Sequence, residues 1–182
     1  MKVLLHICCA PCAIYPVEAL LLKGHKVRGF FFNPNIHPYQ EFARRMATLQ
    51  DFAGRIGLPM IWDRRYDLED FFRAIVFREK DRCSFCYYQR LTVTAKVAKR
   101  GKFDAFTSTL LQSKYQNHEL IKQLGERVVQ EVGVPFYYED FRKGWARGRA
   151  KTKEMRLYKQ QYCGCIFSER DRYLQQPKVQ GS

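Results

Sequence analysis

Short apolar runs alternate along the chain with longer stretches in which apolar side chains recur every three or four positions. Residues 3–7 predict a buried strand, followed at once by the turn Cys8-Cys9-Ala10-Pro11-Cys12. Residues 16–23 read as a helix, with Pro16 in the first turn and Gly24 as the stop. A second strand over 27–32 ends at Asn33-Pro34-Asn35. Phe42, Met46, Leu49, Ala53 and Ile56 mark one face of a long helix closed by Gly57. Residues 58–62 predict a third strand, and Asp67 is placed to cap a helix carrying Leu68, Phe71, Phe72, Ile75 and Val76.

Residues 78–86 read as a polar loop bearing two cysteines, ahead of a helix over 87–100 that stops at Gly101. A fourth strand over 103–107 leads into a polar loop. Ile121, Leu124, Val128 and Val132 then mark a helix ended by Gly133, and 134–138 predict a fifth strand. Beyond lie a basic stretch, Tyr162-Cys163-Gly164-Cys165, a short helical tail and a polar end from Gln175.

Strands alternating with helices predict an α/β fold, a Rossmann-like parallel sheet with helices on both faces and a basic C-terminal helical segment. A chain of 182 residues suits one such domain, taken as 1–174, with 175–182 as a polar tail. In parallel sheets, ligands bind beyond the carboxyl ends of the strands, where strand order reverses. That rule brings the turn after the first strand and the loop after the fourth to one candidate site.

Composition changes this picture mainly through charge. Apolar residues make up 46% and charged residues 27%, ordinary for a globular protein, but 32 Lys and Arg stand against 18 Asp and Glu, a formal +14. Such a surface attracts polyanions, with nucleic acid the leading partner and an anionic membrane surface second. The N-terminal apolar stretch, broken by His6, Pro11, Pro16 and Lys23, is too short to span a bilayer or to serve as a secretory signal, so a cytoplasmic protein is expected. In that reducing compartment cysteines are more often ligands or reactive thiols than structural bridges.

The seven cysteines fall into three groups, Cys8/Cys9/Cys12, Cys83/Cys86 and Cys163/Cys165. A Cys-x-x-Cys pair puts two thiolates on one side of a turn, and both Cys9-Ala-Pro-Cys12 and Cys83-Ser-Phe-Cys86 have that spacing. Two such pairs suit an iron–sulfur cluster or a zinc ion, and a thiol-only redox site is a third reading. Iron–sulfur ranks first, because a closed zinc site leaves three cysteines without a role. Cys163-Gly-Cys165 could close a strained, easily reduced disulfide, or supply two metal ligands, or be a pair of exposed thiols.

Among the histidines, His6 reads as a core residue of the first strand, His37 as surface or substrate-facing, His25 as exposed, and His118 as a general acid or part of a cap. Residues 142–159 hold eight Lys or Arg and one acid, Glu154, interleaved with Trp145 and Tyr158. Aromatic side chains beside a basic track suit single-stranded RNA, and Arg147, Arg149 and Lys151 are the candidate phosphate contacts. Neither a Gly-x-Gly-x-x-Gly run nor a Walker loop occurs, so ATP or NAD binding has no direct support.

Five ordered motifs carry a resemblance over nearly the whole chain. They are His6-Ile7-Cys8-Cys9-Ala10-Pro11-Cys12, Asn33-Pro34-Asn35-Ile36-His37-Pro38, Cys83-Ser84-Phe85-Cys86-Tyr87 with Arg90-Leu91, Thr107-Ser108-Thr109-Leu110-Leu111 with Ser113, and Cys163-Gly164-Cys165. Together they resemble the QueH-type, cobalamin-independent epoxyqueuosine reductases. The resemblance implies a nucleotide α-hydrolase-like domain that reduces epoxyqueuosine to queuosine at the anticodon wobble position of tRNA, the last step of queuosine synthesis, with an unidentified electron donor. It implies a [4Fe-4S] cluster held by Cys8, Cys9, Cys83 and Cys86, with one additional iron nearby. Cys163 and Cys165 would then be a redox-active pair, and Cys12 would stand free for the second iron or the substrate. The rival readings are a zinc-stabilised RNA-binding module without catalytic activity and an ATP-dependent tRNA-modifying enzyme; the second lacks its phosphate loop.

Overall fold

The strand that the sequence makes most apolar lies inside the sheet. In the computed structural model, which describes residues 1–174, β1 (Lys2–His6) pairs in parallel with β2 (Lys26–Phe31) on one side and β4 (Ala105–Ser108) on the other. β3 (Met60–Trp62) lies beyond β2, giving the order β3-β2-β1-β4. Val3, Leu4 and Leu5 are fully buried, as a strand covered on both faces requires. The polar tail expected at 175–182 lies outside the described residues.

The helices are α1 (Ala10–Leu22), α2 (Tyr39–Ile56), α3 (Leu68–Ile75), α4 (Arg82–Arg100), α5 (His118–Val132), α6 (Trp145–Glu154) and α7 (Ile166–Tyr173). α1 packs with α2 and α6, and α4 with α5. The expected parallel α/β architecture and the basic helical segment are therefore present. No helix among the described residues is long and apolar enough to cross a membrane.

Several boundaries move, for local reasons. α1 starts at Ala10, six residues before the expected start, because Pro11 in its first turn is compatible with a helical start. Pro16 then falls inside the helix. The expected loop 78–86 is a short 3-10 turn (Glu79–Asp81) running straight into α4, so Cys83 and Cys86 stand one helical turn apart on that helix. β3 begins only after Pro59, which has no N–H to give a ladder. The fifth strand is reduced to one bridge, Phe106 with Phe136, beside Pro135. Asp67 occupies the N-cap position of α3, but its side chain makes no capping bond and lies near Arg65.

In this order the chain reverses across the sheet between β1 and β4. The carboxyl ends of those two strands form the crevice where such sheets bind ligands.

Candidate metal and redox site

β1 ends at His6, and only Ile7 separates it from the first thiol, Cys8. Cys9 is the N-cap of α1 and Cys12 lies in its first turn, so the bend into the helix turns three side chains to one side. The sulfurs of Cys8, Cys9 and Cys12 all lie within 4.8 Å of one another. Those of Cys8 and Cys9 are 3.7 Å apart. Two thiolates on one tetrahedral ion with metal–sulfur bonds near 2.3 Å stand about 3.8 Å apart, so this triad has the span of a metal site. Thr109, the first residue beyond β4, ties the crevice together. Its hydroxyl accepts from the Cys8 N–H at 3.2 Å and lies 3.4 Å from the Cys8 sulfur.

His6 is a satisfied core residue, as expected. Nδ1 lies 2.8 Å from the Ser108 hydroxyl and Nε2 3.0 Å from the Phe32 carbonyl. Burial, helped by the positive charge of Arg90, lowers its pKa to about 4.

The other four cysteines gather on the facing side. Cys86 is buried beside Phe71, Ile75 and Cys165, while Cys83 and Cys163 are exposed. Partial loss of hydration raises the Cys83 thiol and full burial pushes Cys86 to about 12, and the nearby Cys163 and Cys165 add to both shifts. One turn along α4, buried Arg90 places Nη2 3.0 Å from the Cys86 sulfur and Nε 3.2 Å from the Cys86 carbonyl. Among the described residues Arg90 has no carboxylate partner.

The Cys163-Gly-Cys165 segment is pinned by its backbone. Buried Arg45 donates to the carbonyls of Tyr162 and Cys163, at 2.9 and 2.8 Å, and pairs with Glu41 at 2.6 Å. The His37 N–H donates to the Gly164 carbonyl at 2.9 Å, and the Tyr162 hydroxyl donates to the His37 carbonyl. Gly164 has φ of +157° and faces Asn35 so closely that a Cβ would lie 3.0 Å from its amide nitrogen.

A cavity of about 300 Å³ opens between the two groups, lined by Cys8, Cys12, Arg90, Gln116, Gln160 and Cys163 among others. Gln160 lies 3.4 Å from the Cys12 sulfur and Gln116 3.1 Å from that of Cys163. Within the triad, the thiols of Cys12 and Cys9 hold Cys8 well below the usual thiol range, with Thr109 and Arg90 assisting against burial. Cys12 rises because its thiol is engaged with Cys8, and Cys9 rises chiefly through burial. Within the triad, Cys8 is thus the thiol whose ionisation its neighbours favour most.

The remaining candidates separate. His37 is buried rather than surface or substrate-facing: Nε2 meets the Pro34 carbonyl at 3.1 Å, and the ring packs on Phe71 and Phe72. His25 is half-buried against Tyr137 rather than exposed. His118 begins α5 and lies 3.0 Å from the Tyr138 hydroxyl, while the cap is Asn117, which accepts from the Leu120 N–H. Of the three candidate phosphate contacts, Arg149 lines the thiol cavity. Arg147 pairs with Glu18, and Lys151 borders an apolar groove with Ile14, Leu22 and Ile56. Tyr158 donates to Glu41 at 2.6 Å, under Arg44.

No sequence motif assigns a role to Arg45, Gln116 or Gln160, and Arg90 and Thr109 stand out only as members of their motifs. Arg45 had a signal: it lies between Phe42 and Leu49 on the apolar face of α2, four residues after Glu41. The glutamines had none, since polar loop residues are common.

Fold and site together define a class: an α/β domain that collects thiols beyond the carboxyl edge of a parallel sheet, with a triad able to hold a metal. The sequence model described as "Epoxyqueuosine reductase QueH" matches residues 3–171. Proteins of that name from Dehalococcoides mccartyi and Thermotoga maritima are 35% and 32% identical, over 94% and 91% of this chain and 94% and 89% of their own. The Haemophilus influenzae protein of that name is 35% identical over 93% of this chain and 72% of its own. The chain belongs to the QueH epoxyqueuosine reductase family, and so to the oxidoreductases. A solved structure, a predicted subunit of tRNA methyltransferase from Methanocaldococcus jannaschii, aligns with TM-score 0.48 and 13% identity over 85% of this chain and 75% of its own.

Proposed function

We propose that this chain reduces the epoxide of epoxyqueuosine in tRNA to the alkene, in the cytoplasm and with electrons from a separate donor. The observation that carries the reading is the cavity in which Cys8 and Cys12 face Cys163 in a member of this family. The reaction consumes two electrons and two protons and releases the epoxide oxygen as water.

The donor set fits an iron–sulfur group. Soft thiolates are the ligands such clusters take, and seven are available in two adjoining groups. In this reading Cys8, Cys9, Cys83 and Cys86 hold a [4Fe-4S] cluster, with Cys12 directed to one additional iron. When bound, the cluster supplies electrons one at a time.

The chain's own residues do the rest. Thr109, Gln160, Gln116 and Arg90 each lie within hydrogen-bonding distance of a sulfur, and such bonds stabilise the thiolate and tune its potential. Cys163 and Cys165 form the redox-active pair. Oxidation of both thiols to a disulfide yields two electrons and two protons, the number the epoxide requires. Arg149 holds substrate phosphate at the mouth of the cavity. The zinc-stabilised RNA-binding module is not favoured, because the family is one of reductases.

The test is anaerobic purification with iron, sulfide and zinc counted per chain. It is followed by single turnover on epoxyqueuosine-containing tRNA with a chemical reductant. Iron with matching sulfide, and a nucleoside lighter by one oxygen, are expected. A zinc protein that leaves the nucleoside unchanged after iron–sulfur reconstitution would overturn the proposal.

A further inference from the structure

Two aromatic rings stand at the mouth of the thiol cavity. Tyr115 sits in the loop between β4 and α5, lines the cavity and is 76% exposed. Trp145 opens α6 and lines the same cavity. Their centroids are 5.8 Å apart with planes at 80°. The Lys114 ammonium lies 5.3 Å from the Tyr115 ring and 5.8 Å from Trp145.

We propose that Tyr115 and Trp145 form a stacking seat for an unstacked nucleobase of the RNA substrate, at the entrance to the cavity that contains Cys8 and Cys12. The proposal rests on the reductase reading above, since that reading brings RNA to this cavity.

The geometry has the features that such a seat needs. A phenol ring exposed to this extent gains little from burial in the fold, which leaves the ring surface not covered by Lys114 open to a ligand. The perpendicular arrangement gives a base one ring to stack on and a second ring as a wall, and every base has a π-face to offer. Arg149 and Arg172 border the same cavity and suit the flanking phosphates.

The backbone leading into Trp145 packs tightly, since Gly144 abuts the Tyr15 ring so closely that a Cβ would lie 2.0 Å from it. One wall of the seat therefore starts a helix and the other lies in a loop. Tyr158, the stacking partner expected from the sequence, is committed to Glu41, and Tyr115 takes its place beside Trp145.

The test uses the full, metal-loaded chain and an anticodon stem-loop RNA, with affinity measured across a salt series. Tyr115→Leu is expected to weaken binding roughly five- to 150-fold, the range for loss of one stacked base, with the salt slope unchanged. Tyr115→Phe keeps the π-face and should bind as the parent does. In a Trp62→Phe background, the emission of Trp145 should change on RNA binding and respond less in the Tyr115→Leu protein. Trp145→Leu adds the other wall where it folds; Tyr115→Leu, on an exposed loop, stands alone where it does not. If Tyr115→Leu binds like the parent, or Tyr115→Phe loses as much as Tyr115→Leu, the seat does not exist. A parent that binds RNA by stacking yet reduces nothing would count against the reductase reading alone. A parent that binds no RNA would overturn both.

Discussion

Arg45 holds Cys163 through its backbone: Nη1 donates to the Cys163 carbonyl at 2.8 Å while Nε pairs with Glu41. The guanidinium is 1% exposed and Glu41 8%, so neither charge has water to fall back on. Arg45→Met should therefore destabilise the protein by about 3–5 kcal/mol, because it strands a buried carboxylate. Adding Glu41→Gln should recover part of that loss. Urea unfolding at equal metal content measures both, together with the rate at which Cys163 reacts with a thiol reagent, which should rise as its backbone loosens. An unchanged midpoint for Arg45→Met would remove the network from the account of stability.

Protonation of His37 should oppose folding. Its ring is 2% exposed, and burial lowers its pKa to about 4, against an ordinary value of 6.5, despite the Pro34 carbonyl. Between these values the unfolded chain binds the proton and the folded chain does not, so stability rises with pH across that window. As pH falls from about 6.5 to about 4, the loss should reach up to about 3 kcal/mol from this group. His37→Gln should flatten the stability–pH curve there relative to the parent. Parallel curves for the two proteins would contradict this.

Close contact between Gly144 and Tyr15 locks α6 against α1. A Cβ at residue 144 would lie 2.0 Å from the Tyr15 ring, closer than any real contact. Gly144→Ala should cost about 1–3 kcal/mol through overpacking, and less in a Tyr15→Leu background where the ring is gone. Thermal midpoints of the four proteins in this cycle decide it; additive losses would mean that the two residues do not meet.

The three basic candidates of α6 should not contribute equally to RNA binding. Arg149 lines the cavity, whereas Arg147 is engaged with Glu18 and Lys151 borders an apolar groove. Neutralising all three should weaken tRNA binding and flatten its salt dependence, by about one unit of slope for each phosphate contact removed. Arg149→Gln alone should give most of the effect. If Arg147→Gln matches it, the cavity mouth is not the main phosphate contact.

Much of this architecture was legible because periodicity reports burial directly. The four strands, the long face of α2 and the closing glycines follow from it, and the cysteine spacings placed the first three thiols together. The failures have local causes. Pro135 left no ladder for a fifth strand, and α4 begins early enough to absorb a polar loop. His37 looked like a loop residue because nothing in Asn33-Pro34-Asn35-Ile36 announces that Phe71 and Phe72 will close over it. The pairing of Cys83 and Cys86 with Cys163 and Cys165 depends on how α7 and its leading turn fold back, which no local pattern encodes.

Buried Arg90 has consequences for folding itself. With no carboxylate among its described neighbours, the groups placed to balance its charge are sulfurs: Cys86 lies 3.0 Å from Nη2, and in the proposed centre ligation would turn such thiols into thiolates. Ionisation of these cysteines and cohesion of the interior around α4 are then one linked equilibrium. Reagents that cap the thiols as neutral adducts should behave as denaturants, and a loaded centre as a structural ligand whose removal lowers the unfolding temperature.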